Sequence, residues 1–192
     1  MPRKEDQKKR WIKKVGFEKF YETKDPWGVE GDKEEIKKAR QIISLMKPSY
    51  LKGMDLGCGE GHYTQMYSKY CKEMLGCDIS LNAIRRSKEL YSDRIETFQF
   101  DIRKAFPKEL SKKFDIVLCG EMLYYIEPEH YKNVIDNIYS LMSSKCQLII
   151  SAGHYFTEKE FKNMFSKIKF TDIIKNPSKG GTYSLIMSGK KY

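Results

Sequence analysis

The chain has 192 residues, 40% hydrophobic and 13% aromatic, which suits one α/β domain with a sizeable core and excludes a disordered one. No apolar run approaches the roughly 20 residues that cross a bilayer. The N-terminal "MPRKEDQKKRWIKK" has no apolar stretch behind its charges, so neither a membrane span nor a secretory signal is expected. The formal net charge of +10 raises the question of nucleic acid, but most lysines alternate with acids, as in "DKEEIKKAR" and "TEKEFKNMF", in the manner of a solvated surface. One real cluster remains: Arg3, Lys4, Lys8, Lys9, Arg10, Lys13 and Lys14. It reads as a solvated or weakly anion-attracting arm in preference to a dedicated RNA site. Cys58, Cys71, Cys77, Cys119 and Cys146 are dispersed, with no CxxC pair and no zinc spacing. That pattern points to reduced, buried thiols in a cytoplasmic protein and to no metal site.

In chain order, residues 1–31 read as an extension and residues 32–192 as the domain. From Asp32 to Met46 the apolar residues Ile36, Ala39, Ile42, Ile43 and Met46 recur at helical spacing, and Pro48 follows the end. Strands are then expected at Tyr50–Leu56, Glu73–Cys77, Ile95–Phe100, Phe114–Cys119 and Cys146–Ser151. Helices are expected between them near Gly61–Tyr70, Leu81–Tyr91 and Pro128–Met142. This alternation, with "FDIVLC" and "CQLIIS" as near-continuous apolar runs, implies a parallel sheet covered on both faces. The end departs from it: a helix at Glu158–Ser166, a strand at Ile168–Ile174, the loop "NPSKGG" and a strand in "TYSLIMSG". Two strands joined without a crossover helix pair antiparallel, so the sheet is expected to end in a hairpin.

The first strand runs into "MDLGCGEGHYT", where Gly57, Gly59 and Gly61 make the turn into a helix. Bare backbone there lets a ligand approach closely at the carboxyl ends of the strands. About 20 residues on, "GCDIS" ends the second strand with Asp78, placed to accept two hydrogen bonds from a ribose diol and to repel a ribose phosphate. A dinucleotide fingerprint needs G-x-G-x-x-G, and its last glycine falls here on His62. In "FQFDIRKAF" the third strand ends with Asp101, whose carboxylate can accept from an adenine amino group while the Ile102 N–H donates to the ring.

"DLGCGEG", "GCDIS", "FQFDI" and "FDIVLCGEMLYYI" together resemble, in order and spacing, the cofactor motifs of class I S-adenosylmethionine-dependent methyltransferases. The resemblance spans essentially the whole chain, terminal hairpin included. It implies a Rossmann-like, seven-stranded, mostly parallel sheet with helices on both faces and an antiparallel C-terminal hairpin strand. It also implies the cofactor S-adenosylmethionine, with Gly57 and Gly59 at its methionine part, Asp55 holding the loop and the amino end, and Asp78 on the ribose. Asp101 and Ile102 would take the adenine, with Cys58 and Ile79 beside them in the cofactor set.

At the flanks, "FYETKDPWGVEGDKEE" and "GEMLYYIEP" resemble the nodulation protein S group, whose best-known member N-methylates an amine on a sugar oligomer. This implies that Tyr21, Asp25 and Trp27 belong to a lid over the cofactor. Methyl transfer is an in-line displacement, so the protein has chiefly to align a nucleophile and exclude water. Residues after the fourth strand meet both partners: Glu121 for the methionyl end or an amine, Tyr124 for the acceptor pocket, and Tyr125 for the pocket or the core. His154, in "SAGHYF" with Tyr155, is the histidine at a strand's carboxyl end and the candidate general base. His62 reads as a helix-start residue, His130 as an exposed helix residue, and the cysteines as core.

The expected activity is methylation of an amine or hydroxyl on a small molecule, possibly a sugar, by a monomer or homodimer. Two alternatives stay open, an RNA or protein methyltransferase and a non-catalytic module. The N/D-P-P-Y/F motif of base-methylating enzymes is replaced here by "CGEMLYY", which disfavours base methylation.

Overall fold

The computed structural model describes residues 12, 15–153, 155–177 and 183–191. A short helix, α1 (residues 15–20), precedes α2 (Lys33–Ser44). Then follow β1 (Tyr50–Leu56), α3 (Thr64–Tyr67), β2 (Cys71–Asp78), α4 (Leu81–Tyr91), β3 (Glu96–Gln99) and β4 (Phe114–Gly120). The chain closes with α5 (Tyr131–Leu141), β5 (Met142–Ala152), α6 (Glu158–Met164), β6 (Ile168–Pro177) and β7 (Tyr183–Lys191).

The seven strands lie in the order β3-β2-β1-β4-β5-β7-β6. The first five pair in parallel, and β7 runs antiparallel to both β5 and β6. The expected hairpin is thus present, inserted so that its second strand meets β5. With β2 on one side of β1 and β4 on the other, strand order reverses at β1. A ligand crevice opens at such a point, beyond the carboxyl ends of the strands.

The apolar runs divide with period two. Val117 and Cys119 of β4, with Leu148 and Ile150 of β5, join one core cluster under α5 and α6. Ile116, Leu118 and Ile149 join a second cluster that takes in Ala39 and Ile42 of α2 and Tyr67 of α3. Both faces are therefore dry, as a parallel sheet requires.

Helix starts are capped by side chains: Asp32 accepts from the Glu34 and Glu35 N–H groups, Ser80 from Ala83, and Thr157 forms a reciprocal capping box with Glu160. The helix expected from Gly61 begins only at Thr64 and tightens into a 3-10 turn at Ser68–Tyr70. Gly61 has φ +83°, a left-handed turn that cannot belong to the helix. The strand expected from Cys146 starts at Met142, and its register with β4 shifts between Phe114 and Ile116. Among the described residues no helix is long and apolar enough to cross a membrane.

Candidate functional site

The loop after β1 is tied to β2: Gly57 N–H and Cys58 N–H both donate to the Cys77 carbonyl, at 2.8 and 3.0 Å. Asp55, only 6% exposed, accepts from the Thr64 hydroxyl at 2.6 Å, which fixes α3 against the strand. Burial pushes its carboxyl up to about 7. Asp78 is 8% exposed and spans the turn, accepting from Gly59 N–H and Ser80 N–H at 2.9 Å each. Burial pushes it up to about 6 in spite of those bonds. Gly59 (φ +54°) leaves the space where a Cβ would stand 2.7 Å from the Tyr21 hydroxyl.

Tyr21 comes from the extension, which is fastened over this loop. The Trp27 indole donates to the Tyr21 hydroxyl at 2.8 Å, and Phe20, Tyr21, Ala83 and Trp27 form a third apolar cluster with Phe17 and Tyr125. Glu18 receives the N–H of Leu81 and the hydroxyl of Ser80, both at 2.8 Å, at the start of α4. Glu60, 3% exposed, accepts from Asp25 N–H at 3.0 Å and from Arg86 at 2.5 Å. The same guanidinium donates to the Thr23 and Glu22 carbonyls at 2.7 and 2.9 Å. Asp25 has φ +43° and caps its own turn, accepting from Val29 N–H and Glu30 N–H. Asp25, Glu60 and His62 present ligand atoms within 4.8 Å of one another, but Arg86 already supplies the positive charge there.

At the β3 end, Asp101 is gripped by Arg103, which donates Nε and Nη2 at 2.9 and 2.8 Å, and the guanidinium holds its carboxyl below the usual range. Ile102 is buried and its carbonyl accepts from Asn137 at 2.7 Å. Ile79 stands 39% exposed at the end of β2, an apolar edge beside Asp78.

Across the sheet from β2, at the ends of β4 and β5, Glu121 sits at φ +51°, a conformation costing an L-residue about 1 to 2 kcal/mol. Its N–H donates to the Ser151 carbonyl at 2.9 Å, and its carboxylate accepts from Gly153 N–H at 2.9 Å and the Tyr124 hydroxyl at 3.1 Å. Burial pushes its carboxyl up. Tyr124 stacks on Tyr155 with centroids 4.2 Å apart, while Tyr125 turns to Phe17 of the extension at 5.2 Å. His154 lies outside the described residues.

Glu121 and Ser151 border a cleft of roughly 680 Å³, its open mouth included, whose walls also include Asp55, Gly57, Cys58, Tyr63 and Tyr67. Lys38 and Asn176 line it too. Tyr63 and Tyr67 stack, and the Tyr63 hydroxyl donates to Glu35 of α2, which also pairs with Lys38 at 2.8 Å. Sequence reasoning missed this aromatic wall and the Glu60–Arg86 tie. The tie joins residues far apart in the chain, as does the Tyr63–Glu35 contact that anchors the wall, and the local hint was an aromatic-rich "YTQMY" behind the glycine loop.

A glycine turn at the switch point, a buried acid ending the next strand and an acid-lined cleft after β4, on a sheet with an antiparallel penultimate strand, define an S-adenosylmethionine-dependent methyltransferase. The cleft lined by Asp55 and Gly57, with the carboxylate of Asp78 behind the same loop, fits that cofactor's chemistry. Residues 12–164 match the model of the nodulation protein S family, and the chain belongs to that family. It is 25% identical to nodulation protein S of Azorhizobium caulinodans over 81% of this chain and 80% of that one. In structure it resembles the N-methyltransferase NodS of Bradyrhizobium japonicum WM9 in complex with S-adenosylhomocysteine. The TM-score is 0.78 at 18% identity, over 91% of this chain and 95% of that one. A 1,6-didemethyltoxoflavin-N1-methyltransferase from Burkholderia thailandensis gives a TM-score of 0.75 at 17% identity, over 100% of this chain and 92% of that one.

Proposed function

We propose that this methyltransferase acts on an amine of a small molecule, held in the cleft between the Tyr63–Tyr67 wall and Glu121. The observation that carries this reading is the buried carboxylate of Glu121, which lines the cleft opposite Tyr63 and Tyr67. Buried acids attract a cationic guest and disfavour an anionic one, and the two aromatic faces suit positive charge as well. The names of the relatives agree, since two of the structural neighbours are N-methyltransferases.

S-adenosylmethionine supplies a methyl group already activated on a sulfonium sulfur. In this reading Gly57, Cys58 and Asp55 face its methionine part, Asp78 its ribose, and Ile79, Asp101 and Ile102 its adenine. Glu121 takes one proton from the bound ammonium, which frees the nitrogen lone pair to attack the methyl carbon as that carbon's bond to sulfur breaks. Two donors, Gly153 N–H and Tyr124 OH, keep that carboxylate aimed while it does so. Residues 18–31 act as the lid, with Tyr21 and Trp27 as its underside and Glu60–Arg86 as its fastening; closure excludes water and aligns the reactants.

The test is mass spectrometry of reactions with matched acceptors, amino sugars, polyamines and amino acids against their hydroxyl analogues. Methylation of amines alone is expected. Methylation of hydroxyl analogues at equal rate would overturn the amine assignment.

A further inference from the structure

The cleft does not end at Glu121. On the face of the sheet that α2 covers, it runs from Gly57 after β1 past Glu121 to Ser184 on β7 and Asn176 on β6. The registers keep these residues at one end of the sheet: Gly120 lies opposite Ser151, Ser151 opposite Ile186, and Asn176 opposite Ser184. From β4 to β6 is three interstrand steps, about 14 Å. Leu118, Ile149 and Ile186 make an apolar floor along that stretch, and Lys38 of α2 lines it.

Lys38 adds a positive charge to a cleft whose other described charged residues are Asp55 and Glu121. An ordinary solvated helix pair is found one residue away, where the Lys37 and Glu34 side chains are 63% and 78% exposed. Those of Lys38 and Glu35 are 35% and 26% exposed, turned into the cleft wall. Holding α2 on the sheet does not depend on this charge: Gln41 and Asn176 exchange two hydrogen bonds at 2.8 and 3.0 Å, and Glu35 keeps the Tyr63 hydroxyl. Burial raises the Glu121 carboxyl, and the Lys38 charge is the foremost influence drawing it back, so the two opposite charges act on each other across one cavity.

We propose that the methyl acceptor is a zwitterion, an amine joined through an apolar spacer to a carboxylate, and that Lys38 is the residue that selects it. This rests on the amine reading of Glu121 given above. The ammonium end lies at Glu121, the spacer on the Leu118–Ile149–Ile186 floor, and the carboxylate at Lys38. An ammonium carries three N–H donors, so Lys38 can bond this guest while keeping Glu35. The same charge repels a second ammonium, which makes diamines and polyamines poor guests.

The experiment is steady-state methylation by the full chain at saturating S-adenosylmethionine, read by mass spectrometry. The acceptors are β-alanine, 4-aminobutyrate and 6-aminohexanoate, their primary amides, the diamines of equal length and the matching hydroxy acids. The wild type should favour the amino acids over the amides by about tenfold or more in kcat/KM. Lys38→Met should bring that ratio close to one, Lys38→Arg should keep most of it, and Lys38→Glu should turn the preference towards diamines. S-adenosylhomocysteine affinity of Lys38→Met, measured by calorimetry, should stay within about threefold of wild type, since the lost bond is to the acceptor. Amides or diamines methylated by the wild type as fast as the amino acids would overturn the inference and leave the amine reading standing. A tenfold loss of S-adenosylhomocysteine affinity in Lys38→Met, with the acceptor ratio kept, would assign Lys38 to the cofactor's own carboxylate and overturn it too. Transfer to the hydroxy acids and to no amine would overturn the amine reading itself, and this inference with it.

Discussion

Around Asp78 the protein holds its own polar groups: the two carboxylate oxygens hold Gly59 and Ser80, Tyr21 and Trp27 cover them, and Glu60 and Arg86 fasten the cover. Glu121 is also held, by Gly153 N–H and the Tyr124 hydroxyl, but it lines a cleft that Asp78 does not. A carboxylate pushed up by burial borders an open cleft, and aromatic rings form the walls. The contrast separates two tasks. The β2 side is pre-organised by mutual hydrogen bonds, which in the proposed reading a bound nucleoside exchanges for its own, whereas the β4–β5 side places an acid at the cleft.

The largest effect expected from breaking this contrast is at Asp78. Asp78→Ala removes an acceptor for two ribose hydroxyls and should weaken cofactor binding by 100-fold or more in calorimetry, given about 1.5 kcal/mol or more per charged hydrogen bond. Near-wild-type affinity would place the ribose elsewhere. Glu121→Gln tests the other side: kcat should fall about 100-fold while the cofactor Kd moves only a few-fold. A large loss of cofactor affinity with kcat preserved would move Glu121 to the methionyl end.

A smaller effect is expected at the fastening. Arg86→Ala leaves Glu60 buried without its partner and frees the Glu22 and Thr23 carbonyls. Cofactor affinity should drop about tenfold by loss of a partly buried ion pair, with kcat at saturation spared and partial recovery in Arg86→Lys. Equal loss of kcat would mean that the extension shapes the reacting centre as well.

The pH response follows from the same burial. Asp78 and Asp55, at about 6 and about 7, stand above their usual 3.8, so burying their charge costs stability that is absent below pH 3.8 and complete above those values. The cofactor-free protein should therefore gain stability in thermal melts as pH falls from about 7 towards 4. Cofactor affinity should move the other way below about pH 6, because a protonated Asp78 accepts fewer hydroxyls. Parallel trends would contradict the role given to its carboxylate.

Much of this was legible beforehand where the information is local. The strand at Tyr50–Leu56 follows from apolar runs ended by glycine, and Asp78 and Asp101 from their strand-end positions. Tyr124 and Glu121, expected to share a site, meet at 3.1 Å. What stayed hidden depends on contact between distant elements. Glu60 meets Arg86, and Tyr63 meets Glu35, at separations that carry no periodic signal. The capture of Asp101 by Arg103 is local but turns on side-chain rotamers, which no pattern of residue types specifies.

The most direct test of the central reading is a single-turnover reaction of the full chain with S-adenosylmethionine and a small-molecule amine, followed by mass spectrometry. Stoichiometric appearance of the methylated amine, slowed about 100-fold by Glu121→Gln, is the expected result. Cofactor binding without transfer to any amine in the panel, or transfer unaffected by Glu121→Gln, would contradict it.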